Sequence, residues 1–300
     1  MISDKRIAWA LTTMVMVGLF ASVAGAETIG LWTFNEKAVG QVGNNGDTVL
    51  DTSGSANTHN GTIVTNVGDD VPYVAGSPSI LDGAALEFEQ GSGAYPNPGI
   101  KDCVEVPAHT DFNYTKSDSY TIEVMVKSDQ VVGSSTGTGP LVGGLGTFWL
   151  DDDTEGKVVF ASGFGLKKDT YSGPEIDTRA KVWSTTYVND GEWHHVAGVF
   201  DGTAQVSRIY VDGDLEGTAD WSAWASASPY YTSTLGTDAL YFGSTGQDLA
   251  IRELDGQIDF VRISNEALAP EDFYNPVPEP STLMLLLVMG GLGMVIRRRG

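Results

Sequence analysis

The chain has a single cysteine, Cys103, among its 300 residues. No intramolecular disulfide can form, so the fold must gain its stability from packing or from a bound metal. Cys103 lies in the alternating stretch Cys103-Val104-Glu105-Val106. This position predicts a buried cysteine that behaves as a small apolar side chain.

Basic residues are also scarce. Seventeen Lys and Arg residues stand against 39 Asp and Glu residues, and the formal net charge is −22 at pH 7. Nucleic acids are bound through Lys and Arg contacts to phosphates, so this balance argues against a nucleic-acid partner and favours cations. Most individual carboxylates are expected to be solvated groups that keep the protein soluble.

Helical periodicity is almost absent, and short alternating runs take its place. The run from Tyr120 to Lys127 puts Ile122, Val124 and Val126 on one face, as a β-strand does. Similar runs predict strands at 29–34, 86–89, 158–161, 195–200, 206–211 and 258–263. We expect a loop at 133–146, which is rich in Gly, Ser and Thr, and a short helix near 265–273.

Two Asp-Gly pairs mark turns between these runs. Asp201-Gly202 separates two runs and Asp212-Gly213 closes the second, which predicts a hairpin followed by another turn. A dozen or so short strands with such turns hide their edges best in two packed antiparallel sheets. We therefore predict one all-β sandwich domain over residues 27–275.

The N-terminus has the form of an export signal. Lys5 and Arg6 precede an apolar stretch at 7–23, and Ala24-Gly25-Ala26 provides the small residues that signal peptidase requires. We predict a signal peptide at 1–26, with a signal helix and cleavage before Glu27. An uncleaved N-terminal anchor is the alternative.

The C-terminus combines three features in a fixed order. Pro278-Glu279-Pro280 is followed by an apolar run from Leu283 to Ile296 and then by Arg297, Arg298 and Arg299. Arginines resist crossing a bilayer, so the Arg triplet is expected to stay in the cytoplasm while the preceding chain is exported. The predicted membrane helix at 281–296 is shorter than the roughly 20 residues of a comfortable span, which indicates a transient anchor.

This order resembles the PEP-CTERM sorting signal of Gram-negative bacteria, which occupies residues 276–300 here. The resemblance implies that an exosortase recognises and processes the tail. The protein is then expected to be anchored briefly in the inner membrane and to end at the cell surface or in the extracellular matrix. An ordinary single-pass tail anchor is the alternative.

Motifs along the rest of the chain resemble the LamG-like, concanavalin A-like superfamily. The strongest is Asp190-Gly191-Glu192-Trp193-His194-His195-Val196-Ala197, and supporting segments lie at 31–34, 51–54, 81–88, 104–107, 210–213, 254–263 and 265–268. The resemblance covers nearly all of the predicted domain and implies a two-sheet antiparallel jelly roll. Met125 departs from it, because the family commonly has Trp there.

The resemblance also implies a calcium ion, held between an early loop and the last strand. The loop at 46–54 carries Asp51, and the matching carboxylate of the last strand is Asp259. Calcium takes several oxygen ligands from such groups. We therefore predict Asp51 and Asp259 as calcium ligands. The acidic run at 151–155 lacks the spacing of a calcium loop and is expected to be an exposed hairpin turn.

Hydrolysis has to be considered, because the superfamily includes glucanases with the pattern Glu-x-Asp-x-x-Glu. The nearest match has Glu253 and Asp255, but Ile258 stands where the last carboxylate is required. We therefore predict no enzymatic activity and no catalytic residues. A divergent glycoside hydrolase is the least favoured alternative.

Binding is the function that remains. Exposed aromatic rings stack on sugars, and the loop candidates are Trp221, Trp224, Tyr230 and Tyr231. Trp193 is expected to fill the core, with His194 and His195 on opposite faces of their strand. We predict an exported, noncatalytic module that binds extracellular polysaccharide or another surface component. A structural or adhesive matrix protein that recognises proteins is the alternative.

Overall fold

The computed structural model describes residues 27–65, 70–79, 83–89, 102–115, 117–132, 139–143, 148–150, 156–162, 180–222, 239–244 and 253–274. These residues form two antiparallel sheets, which confirms the predicted all-β class. The predicted signal peptide and sorting tail lie outside the described residues. Among those described, no helical segment has the length and apolar character that crossing a bilayer requires.

The first sheet has nine strands, and the last strand in the sequence lies near the middle of this sheet. From one edge to the other its strands are β15 (Asp214–Asp220), β14 (Val206–Val211), β13 (Trp193–Asp201), β8 (Tyr120–Lys127), β17 (Gly256–Ser264), β6 (Ala84–Phe88), β5 (Val71–Ala75) and β2 (Val42–Gly43). The ninth strand, β1 (Thr28–Trp32), pairs with the C-terminal part of β17. The first and last strands are therefore neighbours.

The second sheet has eight strands and packs against the first. Its order is β12 (Ala180–Tyr187), β11 (Lys157–Ser162), β10 (Phe148–Leu150), β9 (Gly139–Gly143), β16 (Leu240–Phe242), β7 (Cys103–Val106), β4 (Gly61–Val64) and β3 (Thr48–Val49). Within the part of the chain that the structure describes, two 3₁₀ helices accompany the strands, at Thr110–Phe112 and Pro270–Asp272. The second helix lies inside the segment predicted as a short helix and is a single turn.

The core fills the space between the sheets. The inner face of β8 contributes Ile122, Val124 and Val126, all fully buried, as the alternation predicts. Cys103 is buried as predicted. Burying side chains of this size stabilises the fold by roughly 1.5–3 kcal/mol each.

The outer face of the nine-stranded sheet is covered at one end by the segment that follows β17. The Thr121 hydroxyl donates to the Glu266 carbonyl over 2.7 Å, and the Leu268 N–H donates back to that hydroxyl over 3.0 Å. Further along, the rings of Phe260 and Tyr274 lie 4.7 Å apart. Both faces of β8 are buried for this reason, although the sequence alternation predicts burial on one face only.

Both Asp-Gly predictions agree with the structure. β13 and β14 form an antiparallel hairpin across Asp201-Gly202, and Val211 pairs with Asp214 across Asp212-Gly213. Asp212 and Gly213 both have positive φ, 52° and 85°, which is the conformation of the two-residue turns that suit twisted hairpins.

Two sequence predictions about strands and side-chain faces are wrong. Residues 139–143 form the buried strand β9 and not part of a loop, because pairing with β10 and β16 outweighs the turn-rich composition. Trp193 lies on the outer face, partly buried against Met125 and Phe260, and not between the sheets. It pairs with Lys127, and so shares the face opposite to Val126.

Candidate functional site

The other end of the outer face carries a row of polar side chains and one aromatic ring. Glu87 pairs with Gln257, Gln257 with Lys127, and Lys127 with Trp193. Directly opposed residues of antiparallel strands lie on the same face. The four side chains therefore form one line across β6, β17, β8 and β13, which we call the polar row. All four are partly exposed.

A cavity of about 560 Å³ lies along the polar row. Gln257 donates from its side-chain amide to the Glu87 carboxylate over 2.9 Å, which fixes two of the lining groups relative to each other. The lining residues are Glu87, Phe88, Glu89, Lys127, Ser128, Asp129, Gly191, Asp255, Gly256 and Gln257.

Buried amide and hydroxyl groups hold the floor of the cavity in place. Gln130 donates from its side chain to the Glu253 carbonyl over 3.0 Å and accepts from the Asp255 N–H over 3.2 Å. The Ser128 hydroxyl donates to the Asp255 carbonyl over 2.6 Å. At Gly256 a Cβ atom would lie 2.6 Å from the Lys127 carbonyl oxygen, so this close approach requires glycine.

The cavity is rich in acidic groups. Burial raises the pKa of Asp255, and the negative charges of Asp129, Glu89 and Glu87 raise it further. Converging acceptors of this kind suit a ligand with several hydroxyl groups or a cation, and they disfavour an anionic ligand. A carboxyl group with a perturbed pKa in a cavity also marks a candidate functional site.

The predicted aromatic platform has a different arrangement. Trp221 is only 8% exposed and stacks on Phe200 with ring centroids 5.0 Å apart, so it belongs to the core. The prediction that Trp221 is exposed in a loop is therefore wrong. Trp224, Tyr230 and Tyr231 lie outside the described residues.

The two predicted calcium ligands have separate sets of contacts. Asp51 accepts from the backbone N–H groups of Leu31, Ser53 and His59, over 2.9–3.0 Å. Asp259 is fully buried at a bulge of β17 and accepts from the Ser77 N–H. No hydrogen-bond partner among those described contacts both carboxylates. Calcium binding there stays a prediction.

The positions of the glucanase motif are spread over two environments. Ile258 is fully buried in the core between the sheets, where a carboxylate would face apolar side chains. Glu253 is also buried, while Asp255 is exposed at the cavity. The structure thus gives no carboxylate at the third position of the motif.

His194 and His195 lie on opposite faces of β13, as predicted. His194 contacts Asp212 and Asp190, at 2.8 and 3.2 Å. His195 lies under the covering segment, 3.3 Å from the Glu123 carboxylate.

Sequence reasoning missed a second group of possible metal ligands. One ligand atom each of His59, His109 and Asp111 lies within 4.8 Å of the other two. We call these three residues, with Asp51 beside His59, the His59 cluster. His59 lies in a loop, and His109 and Asp111 follow 50 and 52 residues later at the first 3₁₀ helix, so no short sequence motif joins them. The available signal was scarcity: the chain has four histidines, and two are here.

Comparisons with known proteins agree with this architecture. A family model described as concanavalin A-like lectin/glucanases superfamily matches residues 98–272. A model of the PEP-CTERM protein-sorting motif matches residues 276–299. Both resemblances predicted from the sequence are thereby confirmed. No curated protein matches the sequence.

Two solved structures are among those similar to this chain. The binding domain of Paraclostridial Mosquitocidal Protein 1 is 15% identical with a TM-score of 0.50, and the match covers 79% of this chain and 51% of that one. Domain 4 of AbnA, a GH43 extracellular arabinanase from Geobacillus stearothermophilus solved with arabinotriose, is 16% identical with a TM-score of 0.47, covering 82% and 96%. At 15% identity, the likeness to the mosquitocidal binding domain shows the fold alone.

Proposed function

The chain belongs to the concanavalin A-like lectin/glucanase superfamily and carries a PEP-CTERM sorting motif, which marks an exported protein. From this premise we propose that it is a noncatalytic module that binds extracellular polysaccharide at the cell surface. In this proposal signal peptidase removes residues 1–26, and an exosortase processes the tail after transient anchoring in the inner membrane.

The observation that carries the proposal is the polar row with its cavity. Sugar rings present an apolar face and a rim of hydroxyl groups, so their sites combine an aromatic ring with fixed acceptors and donors. Glu87, Gln257 and Lys127 line the cavity and supply the polar groups. Trp193 is not one of the lining residues, but it lies next to Lys127 at the end of the polar row and supplies the ring there. The excess of carboxylates favours a neutral polysaccharide over an acidic one.

We propose a noncatalytic role because Ile258 occupies a position where related glucanases have a carboxylate. Retaining glycosidases need two carboxyl groups about 5 Å apart, and Ile258 provides none at the position where related glucanases have one. Asp255 keeps the raised pKa that a general acid needs. A hydrolase is therefore the second candidate function, and product release from polysaccharides tests it directly.

The test uses the full-length chain in mild detergent on a glycan array, followed by titration with the best neutral glycan. Trp193→Ala and Gln257→Leu are each expected to weaken binding by about tenfold or more, which corresponds to ~1.4 kcal/mol. Trp183→Ala is the matched control, because Trp183 is a 41% exposed Trp on β12 of the other sheet.

Three outcomes contradict the proposal in different ways. Unchanged glycan binding in Trp193→Ala places the site elsewhere. No glycan binding by the wild type, together with capture of a surface protein, favours the adhesive matrix protein. Release of reducing ends that Asp255→Asn abolishes favours the hydrolase.

A further inference from the structure

The His59 cluster lies apart from the polar row and has a fixed geometry. His59 follows β3 in a loop, and its backbone has two partners: the Trp32 indole N–H donates to the His59 carbonyl over 2.8 Å, and the His59 N–H donates to Asp51 over 2.9 Å. The His59 side chain is 1% exposed. The ring also packs on Phe112, with centroids 4.7 Å apart. The imidazole is therefore held in one orientation.

Asp51 determines which nitrogen of His59 carries a proton. Asp51 accepts hydrogen bonds from the backbone N–H groups of Leu31, Ser53 and His59, over 2.9–3.0 Å. Asp51 is thus a carboxylate that only accepts hydrogen bonds. Its Oδ2 lies 3.3 Å from His59 Nδ1, so Nδ1 donates and Nε2 has the free lone pair.

The Nε2 lone pair points at two other acceptors. It lies 3.1 Å from Asp111 Oδ2 and 3.3 Å from His109 Nδ1. His109 Nδ1 is itself an acceptor, because it takes the Asp111 N–H over 3.2 Å at the start of the first 3₁₀ helix. Its single lone pair would have to give up this hydrogen bond in order to bind a cation. His109 Nδ1 also lies 3.3 Å from Asp111 Oδ1. Acceptors at these distances repel one another unless a positive charge lies between them.

We propose that His59 Nε2, His109 Nδ1 and Asp111 form a binding site for a divalent transition metal of the zinc class. Bonds of about 2.0–2.1 Å from zinc to nitrogen or oxygen give ligand-to-ligand distances of about 3.3–3.4 Å in a tetrahedron. Two separations share His59 Nε2 and match two edges of that tetrahedron: 3.1 Å to Asp111 Oδ2 and 3.3 Å to His109 Nδ1. The third separation, also 3.3 Å, joins His109 Nδ1 to the other oxygen of the same carboxylate, Asp111 Oδ1. Two imidazoles select zinc-class ions over calcium, which takes six to eight oxygens.

The surroundings of the cluster support this assignment. Asp51, hydrogen-bonded to the other nitrogen of His59, is the carboxylate partner that metal-bound histidines usually have. Asn57 donates from its side chain to Asp111 Oδ2 over 2.9 Å and so orients the second carboxylate. His109 and Asp111 are 39% and 29% exposed, which leaves the fourth coordination position to a water or a ligand oxygen.

Metal binding here would join two distant segments. His59 belongs to the loop before β4, and His109 and Asp111 lie 50 and 52 residues later, beyond β7. A metal that binds only when both segments are in place stabilises the folded state by mass action. The site therefore gives this cysteine-poor domain a cross-link that a disulfide cannot.

The test is calorimetric titration of the full-length chain, in mild detergent and after chelator treatment, with ZnCl₂. We expect one equivalent bound per chain, a higher melting temperature with zinc, and the visible absorption of four-coordinate cobalt when Co²⁺ replaces zinc. CaCl₂ should neither bind at this site nor displace zinc.

Two variants remove ligands while leaving local structure intact. His109→Asn keeps a side chain that can cap the 3₁₀ helix, and Asp111→Asn keeps the size of the carboxylate. Each should weaken zinc binding by at least about tenfold. His194→Asn is the matched control, since it removes a histidine that also contacts two carboxylates and should leave zinc binding unchanged.

Two results overturn the proposal. One is wild-type protein without saturable zinc binding, in which case a second proton on His59 holds the cluster together. The other is zinc binding of equal strength in His109→Asn, Asp111→Asn and the wild type, which shows an adventitious surface site.

Discussion

Two polar groups of this molecule, one around the buried Glu123 and one around the buried His59, differ in how their charges are satisfied. Glu123 is fully buried and has only donors around it: Arg262 at 3.1 Å, His195 at 3.3 Å and the Tyr274 N–H at 2.6 Å. In the His59 cluster, from the contacts of Asp51 and of the Asp111 N–H, we infer that the atoms of His59, His109 and Asp111 that face one another are acceptors. A carboxylate with donors on every side is electrostatically complete. Converging acceptors require a cation, and this contrast separates a structural group from a binding site.

The Glu123 group has a clear structural role. It lies on the outer face of β8, and Arg262, its partner on β17, also donates to the Asp272 carbonyl over 3.1 Å. Together with the Tyr274 N–H, these contacts hold the covering segment against the sheet. The segment that follows β17 therefore covers one end of the outer face, and the side chains of the polar row at the other end are partly exposed.

The largest expected effect is that of Glu123→Ala on stability. It leaves Arg262 and His195 as buried donors without their carboxylate, and breaking a buried pair in this way costs about 3–5 kcal/mol. Chemical denaturation of the full-length chain measures it. Glu192→Ala, an exposed Glu next to the same sheet, should change stability by less than about 0.5 kcal/mol.

Glu123 is expected to have no influence on zinc binding. Its replacement should leave zinc affinity unchanged in protein that is still folded, because no contact joins the Glu123 group to the His59 cluster among the residues described. If Glu123→Ala lowered the free energy of unfolding by less than about 1 kcal/mol, Glu123 would not be the group that holds the covering segment.

An intermediate effect is expected for Asp51→Asn, which acts on both stability and metal binding. The variant removes the charge that three backbone N–H groups and His59 contact, at a cost of about 1–3 kcal/mol in chelator-treated protein. It should also weaken zinc binding by about tenfold, because His59 loses its orienting carboxylate. Calorimetry and denaturation measure the two effects separately.

The pH dependence of this difference has a definite sign. The pKa of Asp51 is lower in the folded state than its ordinary 3.8. Its contribution is therefore fully present above 3.8 and is lost as the pH falls through the folded-state pKa. A stability difference between wild type and Asp51→Asn that does not shrink in acid would contradict the assignment of Asp51 as an ionised acceptor.

The sequence predicted the fold much better than the site. Alternation in Tyr120–Lys127 and the Asp212-Gly213 pair are local signals, and local geometry decides both a strand face and a hairpin turn. Trp193 was misplaced because alternation cannot tell which face meets the other sheet when both faces of the neighbouring strand are buried. β9 was missed because its pairing with distant β16 has no local signature.

The site residues depend on contacts that only the folded chain has. The polar row needs the register of four strands, so Glu87 and Trp193 cannot be linked from the sequence. The family resemblance predicts Asp51 as a calcium ligand, and the structure places its carboxylate beside His59. That contact gives the same carboxylate a physical reason to orient a metal ligand.

The smallest expected effect concerns His194. Like His59, it contacts two carboxylates, but we expect a proton, and not a metal ion, on each of its ring nitrogens. Its two ring nitrogens contact Asp212 and Asp190 separately, so both donate and no third acceptor converges. Burial lowers the pKa of His194, but the hydrogen bonds and charges of Asp212 and then Asp190 outweigh it and raise the pKa above 6.5. The stabilising contribution is fully present below pH 6.5 and is lost as the pH rises through the folded-state pKa.

We expect the free energy of unfolding of the wild type to exceed that of His194→Asn by less than about 1 kcal/mol at pH ~5.5. At pH ~9 we expect no measurable difference between the two proteins. Thermal melts at the two pH values measure the difference. A gap that persists at the higher pH would mean that His194 stabilises the fold through packing and not through its charge.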